Sequence, residues 1–262
     1  MNGFYLSKEN SNKKNTSIII FSLKYKLDYI YDIHCFKYIK RFQLNTMKEN
    51  YKVTFLLDKK NSWFEKYFLN YNFKLKKYKF TITKNPNNII NQDIVFPLNY
   101  TKVLSNSFLR KNKLTLIVHS SKLPRDRGFA PAQNQILKNK NKIYISLIKA
   151  EKKLDMGEIY LQEFFLLNGT ELYDEIRYKQ GLAIIKIINK FLTKYPNMSG
   201  KIQKSKGNFN KKRNQSDSEL NINKSIKSQF NHLRINNNEL WPSYFKYKNC
   251  EYIVKIYKKK SK

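Results

Sequence analysis

The sequence predicts an α/β fold: a Rossmann-like, mostly parallel sheet flanked by helices, with a small C-terminal β unit. Three observations carry that expectation. Short apolar, β-branched runs alternate with segments whose aromatic and aliphatic residues recur at helical spacing, the pattern of strands and helices around a parallel sheet. Hydrophobic residues make up 41% of the 262 and aromatics 15%, enough to bury a core and too much for a wholly disordered chain. Near the end, residues 241–245 (WPSYF) and 250–256 (CEYIVKI) read as two short strands of one β unit.

Taken in order, residues 1–46 form an extension of unknown role, polar at first (SKENSNKKN) and then rich in Ile, Phe and Tyr. Met47 opens what reads as the catalytic domain, 47–195, and 196–262 as a linker and small C-terminal β-rich lobe. The first strand is 51–57. Asn61, Ser62 and Trp63 follow it and lead into a helix to about residue 71, on the spacing of Trp63, Tyr67, Phe68 and Tyr71. Residues 78–82 alternate as a strand, 85–88 (NPNN) mark a loop, 93–96 a buried strand and 102–109 a short helix. Residues 114–118 (LTLIV) are the clearest buried strand, and it stops at His119. Pro124 and Pro131 bracket a loop, 132–138 resumes a helix, and 142–150 and 159–167 are strands around an Asp155-Met156-Gly157 turn. Thr170 reads as the N-cap of a helix running through Gln180 to Leu192. Residues 196–229 have few apolar anchors and read as linker.

The charge is strongly positive, +33 from 52 Lys and Arg against 19 Asp and Glu. That balance ordinarily points to nucleic acid or an anionic surface. Here Lys, Asn, Ile, Phe and Tyr are abundant together while Gly (7) and Pro (6) are scarce, the joint bias of an A/T-rich coding sequence. Charge alone therefore assigns no partner. Cys35 and Cys250 are too far apart in sequence to suggest a disulfide framework, no apolar run approaches a membrane span, and no signal-like segment opens the chain. A cytoplasmic protein without a membrane partner is expected.

Chemistry-bearing motifs are few. No Cys-x-x-Cys or His-Glu-x-x-His set is present, so no metal is expected, and neither phosphate-binding glycine loop occurs. His34 and His232 read as ordinary structural or surface residues. His119 differs, because it ends a buried strand, where ligands bind in open α/β sheets.

The run His119-Ser120-Ser121-Lys122-Leu123-Pro124, the turn Arg127-Gly128-Phe129-Ala130-Pro131 and the segment 154–159 (LDMGEI) follow one another in the chain. Together they resemble the His-x-Ser-x-Leu-Pro, Arg-Gly-x-x-Pro and Asp-x-Gly-[Asp/Glu]-Ile signature of the 10-formyltetrahydrofolate-dependent formyltransferases. That superfamily includes the methionyl-tRNA, glycinamide ribonucleotide and sugar N-formyltransferases. Asp155 follows His119 by 36 residues (155 − 119), close to the family's spacing. The resemblance covers most of the chain from Met47. Within it, residues 52–63, 217–220, 230–235 and 241–252 resemble the branch that formylates nucleotide-linked amino sugars.

The resemblance implies His119 as oxyanion donor and Asp155 as proton acceptor and orienter. It also implies a pterin slot bounded by Pro97 and Leu104, the Leu123-Pro124 turn and the backbone before Asp155. Asn61, Ser62, Trp63, Arg125 and Arg127 are the implied substrate residues, the two arginines as forked partners of carboxylates or phosphates. One departure stands out: the family usually carries Asn two residues before its His, and here that position is Ile117. Thr115 and Asn112 lie further upstream, and Asn134 beyond the loop. The implied function is transfer of a formyl group from 10-formyltetrahydrofolate to a nucleotide-linked amino-deoxysugar, for polysaccharide biosynthesis. A homodimer is implied, with no nucleic-acid partner. Two alternatives remain: a shortened methionyl-tRNA formyltransferase, for which the charge is the best argument, and an inactive, basic nucleic-acid-binding relative. Only about 60 residues follow residue 196, short of the ~100 of a typical domain, which speaks against a full tRNA-binding C-terminal domain.

Overall fold

A computed structural model describes residues 50–259 except 60, 61 and 70; the reading of residues 1–46 lies outside the described residues. β1 (Tyr51–Leu57) pairs in parallel with β2 (Tyr78–Thr83) on one side and β3 (Ile94–Leu98) on the other. β3 is joined to the strand ahead of it through a parallel bridge, Val95 to Thr115, with Val95 N donating to Leu114 O at 2.8 Å. That strand, β4 (Leu116–His119), pairs antiparallel with β6 (Lys142–Lys149), and β6 antiparallel with β7 (Ile159–Leu166). The order is β2-β1-β3-β4-β6-β7, so the expected parallel arrangement holds through β4 and the sheet is mixed beyond it. Between β6 and β7 there are only residues 150–158, too few for the crossover of a dozen or more that parallel neighbours need, so those two run antiparallel. The β4–β6 connection, 120–141, is long enough for either direction, and its length does not decide that pairing.

β1 and β3 are buried on both faces, which is why they read as near-continuous apolar runs. Phe55 stacks against Phe73, Phe80 and Phe96. Over this face lies the longest helix among the described residues, α4 (Tyr173–Lys194), which follows α1 (Glu65–Phe68), α2 (Asn106–Arg110) and α3 (Pro131–Leu137). Its inward stripe, Ile184, Ile187, Ile188 and Phe191, is at most 6% exposed. Leu56, Ile89, Val95 and Phe108 form a smaller cluster. No helix among the described residues is long and apolar enough to cross a membrane.

α4 starts at Tyr173, later than the Thr170 cap expected from sequence. The Thr170 hydroxyl donates to Asn168 Oδ1 instead, and Glu175 caps the helix by accepting from Leu172 N at 2.8 Å. α2 is likewise shorter than 102–109, because the Ser105 hydroxyl accepts from Phe108 N and fixes the start at Asn106.

α5 (Ile226–Ile235), unforeseen in the sequence, is clamped to the body through Arg234, which is 1% exposed. Its guanidinium reaches Asn231 Oδ1 (2.7 Å), Asn141 Oδ1 (3.2 Å) and the Glu171 carboxylate (3.7 Å). Glu171 also accepts from Lys179 Nζ at 2.5 Å and from the amides of Asn168 and Gly169. Burial works against that carboxylate, but Lys179 and the Asn168 amide outweigh it and bring its pKa down to about 2. The chain ends in an antiparallel hairpin of β9 (Ser243–Tyr247) and β10 (Cys250–Val254), the C-terminal β unit expected.

Candidate functional site

At the end of β4 the chain turns over the strand on polar pins rather than apolar packing. Ser121 Oγ donates to Arg125 O, and Ser146 Oγ on β6 donates to Ser121 O. Gln162 on β7 donates to Leu123 O and to Ser146 Oγ. Gln135 on α3 donates to Ser120 O, and Gln180 on α4 donates to Ser120 Oγ, both at 2.7 Å. Four elements therefore fix residues 120–125, and each buried polar group in the set finds a partner.

His119 and Asp155 meet beneath this loop. His119 Nδ1 lies 3.4 Å from Asp155 Oδ1, an ion pair when the ring is protonated, and the side chains are 8% and 5% exposed. The other ring nitrogen, Nε2, lies 2.9 Å from the Asp126 carbonyl. A carbonyl can only accept, so Nε2 carries the proton and Nδ1 is the nitrogen turned to Asp155. The second carboxylate oxygen accepts from Gly128 N at 2.8 Å. Asp155 has φ 56, a left-handed backbone that an L residue adopts at a cost and Asp more readily than most. Two residues on, Gly157 packs so closely on β6 that a Cβ there would stand 1.8 Å from Lys149 O.

Asp126, which the sequence did not single out, is buried and also left-handed, with φ 57. Burial disfavours its charge, yet the hydrogen bonds from Lys138 (2.5 Å) and Asn208 (2.9 Å) prevail and hold its carboxyl below the usual range. Its backbone thereby presents a fixed acceptor to the His119 ring. The only sequence signal for this role is Asp between two arginines just ahead of Gly128.

The remaining candidates fall into groups. Arg127 lies along the Asp155 loop, its guanidinium 2.7 Å from Met156 Sδ and its Nε buried without a partner among the described residues. Arg125 is exposed. Leu123 is 3% exposed and Pro124 half-buried. Trp63 is reached from the same loop: the Arg177 guanidinium sits 4.6 Å from the Trp63 ring and donates to Gln180, which donates to Ser120. Ser62 begins a single 3₁₀ turn, and Asn61 lies outside the described residues. Pro97 is buried within β3, paired with Leu56. Leu104 is partly buried and packs against the smaller apolar cluster. The loop after β3 is tied instead by Asp58, whose carboxylate accepts from Thr101 N and Oγ1 at 2.8 and 2.6 Å.

Ile117 is half-buried on the same face of β4 as His119 and offers no hydrogen bond. Asn112 is used elsewhere, on the Ile89 and Phe108 carbonyls, and Asn134 on that of Phe129. Thr115, on the face of Ile117 and His119, has its Oγ1 buried without a partner among the described residues.

Residues 42–179 match the family described as Formyl transferase. Among curated proteins, a methionyl-tRNA formyltransferase of Sulfurihydrogenibium sp. is 29% identical over 178 residues, covering 64% of this chain and 54% of that protein. The chain spans about half the length of the curated relatives it matches. Among solved structures, a 4-N formyltransferase from Francisella tularensis superposes with a TM-score of 0.63 at 16% identity, over 80% of this chain and 99% of that one. HypX from Aquifex aeolicus in complex with tetrahydrofolic acid gives 0.59 at 14% identity, over 78% and 37%. These structural likenesses concern the fold.

Proposed function

The chain belongs to the formyl transferase family, and from that premise we propose that it transfers a formyl group from 10-formyltetrahydrofolate to the amine of a nucleotide-linked amino-deoxysugar. The observation that carries the chemistry is the buried His119–Asp155 pair, with Gly128 N fixing the carboxylate. Such a transfer begins with a neutral amine attacking the formyl carbon. The tetrahedral intermediate carries an oxyanion and an ammonium. Asp155 takes the ammonium proton, directly or through water, and the C–N10 bond breaks as N10 receives a proton from the His119–Asp155 pair. The products are the formamide and the N10–H folate.

A donor aimed at the oxyanion is worth about 3 kcal/mol in related chemistry. We assign that donor to His119 Nε2–H. In the structure this proton is held by the Asp126 carbonyl, so the role requires the ring to exchange that acceptor for the oxyanion. Ile117 supplies no second donor. The folate is proposed to lie against the Leu123-Pro124 turn and the loop after β3, a place supported by its position at the carboxyl ends of the strands. Arg125 and Arg127 are proposed for its carboxylates or for acceptor phosphates.

The sugar acceptor is supported by the resemblance of residues 217–220, 230–235 and 241–252 and by the fold likeness to a whole 4-N formyltransferase chain. A second reading, methionyl-tRNA as acceptor, is favoured by the names of the curated relatives and by the +33 charge. Incubation with 10-formyltetrahydrofolate and either acceptor class, read by product mass, separates the two.

A further inference from the structure

Residues 201–210, between α4 and α5, touch Asp155 and also Asp126, the residue whose carbonyl receives the His119 ring. Gln203 Nε2 donates to the carbonyls of Asp155 (2.9 Å) and Gly157 (2.8 Å). Asn208 grips Asp126: its Oδ1 accepts from Asp126 N and its Nδ2 donates to Asp126 Oδ1, each at 2.9 Å. The segment is itself well anchored. Lys201 and Ile159 exchange backbone hydrogen bonds at 2.8 Å, and β8 (Phe209–Asn210) pairs with β5 (Arg127–Gly128). Between them Gly207, at φ 56, presses so closely on Pro124 that a Cβ would stand 1.9 Å from its carbonyl.

We propose that Gln203 is a positioning residue for the His119–Asp155 pair, its side-chain amide holding the backbone on either side of Met156 so that the Asp155 carboxylate faces the imidazole; the proposal rests on the functional reading above. The loop 150–158 does not define that geometry by itself. Its internal contact, Met156 N to Lys153 O, is long at 3.3 Å, whereas Asp155 is left-handed and must be held so. The shorter contacts come from outside: Gly128 N on the carboxylate, and Gln203 on the backbone carbonyls before and after Met156. The amide is bound as a donor only, since Gln203 Oε1 is buried with no hydrogen-bond partner among the described residues. Gln203→Met therefore removes the two donated bonds, keeps the volume and forfeits no accepted one.

The test reads His119 directly, independent of turnover. Ring-nitrogen NMR signals of the full chain are recorded at one neutral pH for wild type, Asp155→Asn and Gln203→Met, with His119 assigned by its loss in His119→Gln. Gln203→Met is expected to move the His119 ring-nitrogen signals toward those of Asp155→Asn while His232 stays in place. In turnover it is expected to lower kcat by about 10- to 100-fold with the folate KM within about twofold. His119 ring-nitrogen signals identical to wild type in Gln203→Met overturn the proposal. Should Gln203→Met not fold, Gln203→Asn, which keeps the amide but shortens its reach, carries the same expectations. If the wild type transfers no formyl group, the functional reading fails while the NMR comparison still decides the positioning.

Discussion

His119 Nδ1 stands 3.4 Å from Asp155 Oδ1 although the two residues are 36 positions apart (155 − 119), and both side chains are less than a tenth exposed. A buried acid and base in contact at the end of a central strand is an arrangement suited to moving a proton. His119→Ala and Asp155→Asn are each expected to lower kcat by about 100-fold or more, with little change in thermal midpoint. Steady-state kinetics with circular dichroism checks this; near-full turnover in Asp155→Asn with folding intact contradicts the assignment.

Glu171 gives a prediction about stability and pH. Its carboxyl is ionised in the fold down to about 2, against an ordinary value of 4.5. The folded pKa is depressed, so this contribution is fully present above pH 4.5 and is lost as the pH falls toward 2. Glu171→Gln is expected to cost about 3 kcal/mol at neutral pH, because it leaves buried Arg234 without its counter-charge. Urea unfolding at pH 7 and pH 3 should show the gap between wild type and variant narrowing in acid. An unchanged gap would contradict it.

Gly157→Ala places a methyl group against Lys149 O, and the loop carrying Asp155 must move off β6 to admit it. A loss of about 2 kcal/mol is expected, together with a fall in kcat of at least ~10-fold, since the displaced residue is Asp155's near neighbour. Denaturant unfolding and kinetics on one sample check both. Wild-type turnover would show that the close approach to β6 does not matter.

The +33 charge leads to a salt experiment. If the acceptor is a small nucleotide-linked sugar, kcat/KM should fall only modestly between ~50 and ~200 mM salt, because few phosphates are engaged. A tRNA acceptor neutralising ~6–10 phosphates should lose about 10³- to 10⁵-fold in affinity over that range. Binding measured at both salt concentrations for each acceptor distinguishes them.

The parallel half of the sheet was legible because strands buried on both faces show as apolar runs, as in the Ile-Val-Phe of residues 94–96. The reversal at β6 was not, since strand direction depends on where the connection runs rather than on the strand's own residues. Residues 201–210 read as linker for a related reason: polar bonds from Gln203 and Asn208 hold them, and periodicity detects apolar burial. α5 carried a weak signal, Ser225 as cap with Ile226, Phe230 and Leu233 at helical spacing, but its buried anchor is Arg234, a residue type expected outside. His119 stood out as the residue ending a buried strand, Asp155 only as part of an ordered motif set. The Asp126 carbonyl that fixes the imidazole is main chain, and only the Asp between two arginines ahead of Gly128 marks its place.

The most direct measurement follows product mass after incubation of the full chain with 10-formyltetrahydrofolate and a panel of nucleotide-linked amino sugars. The account predicts one sugar nucleotide heavier by a single CO, with the product lost in His119→Ala. Transfer to methionyl-tRNA alone would contradict the acceptor, and binding of no folate at all would contradict the formyl-transfer chemistry assigned to His119 and Asp155.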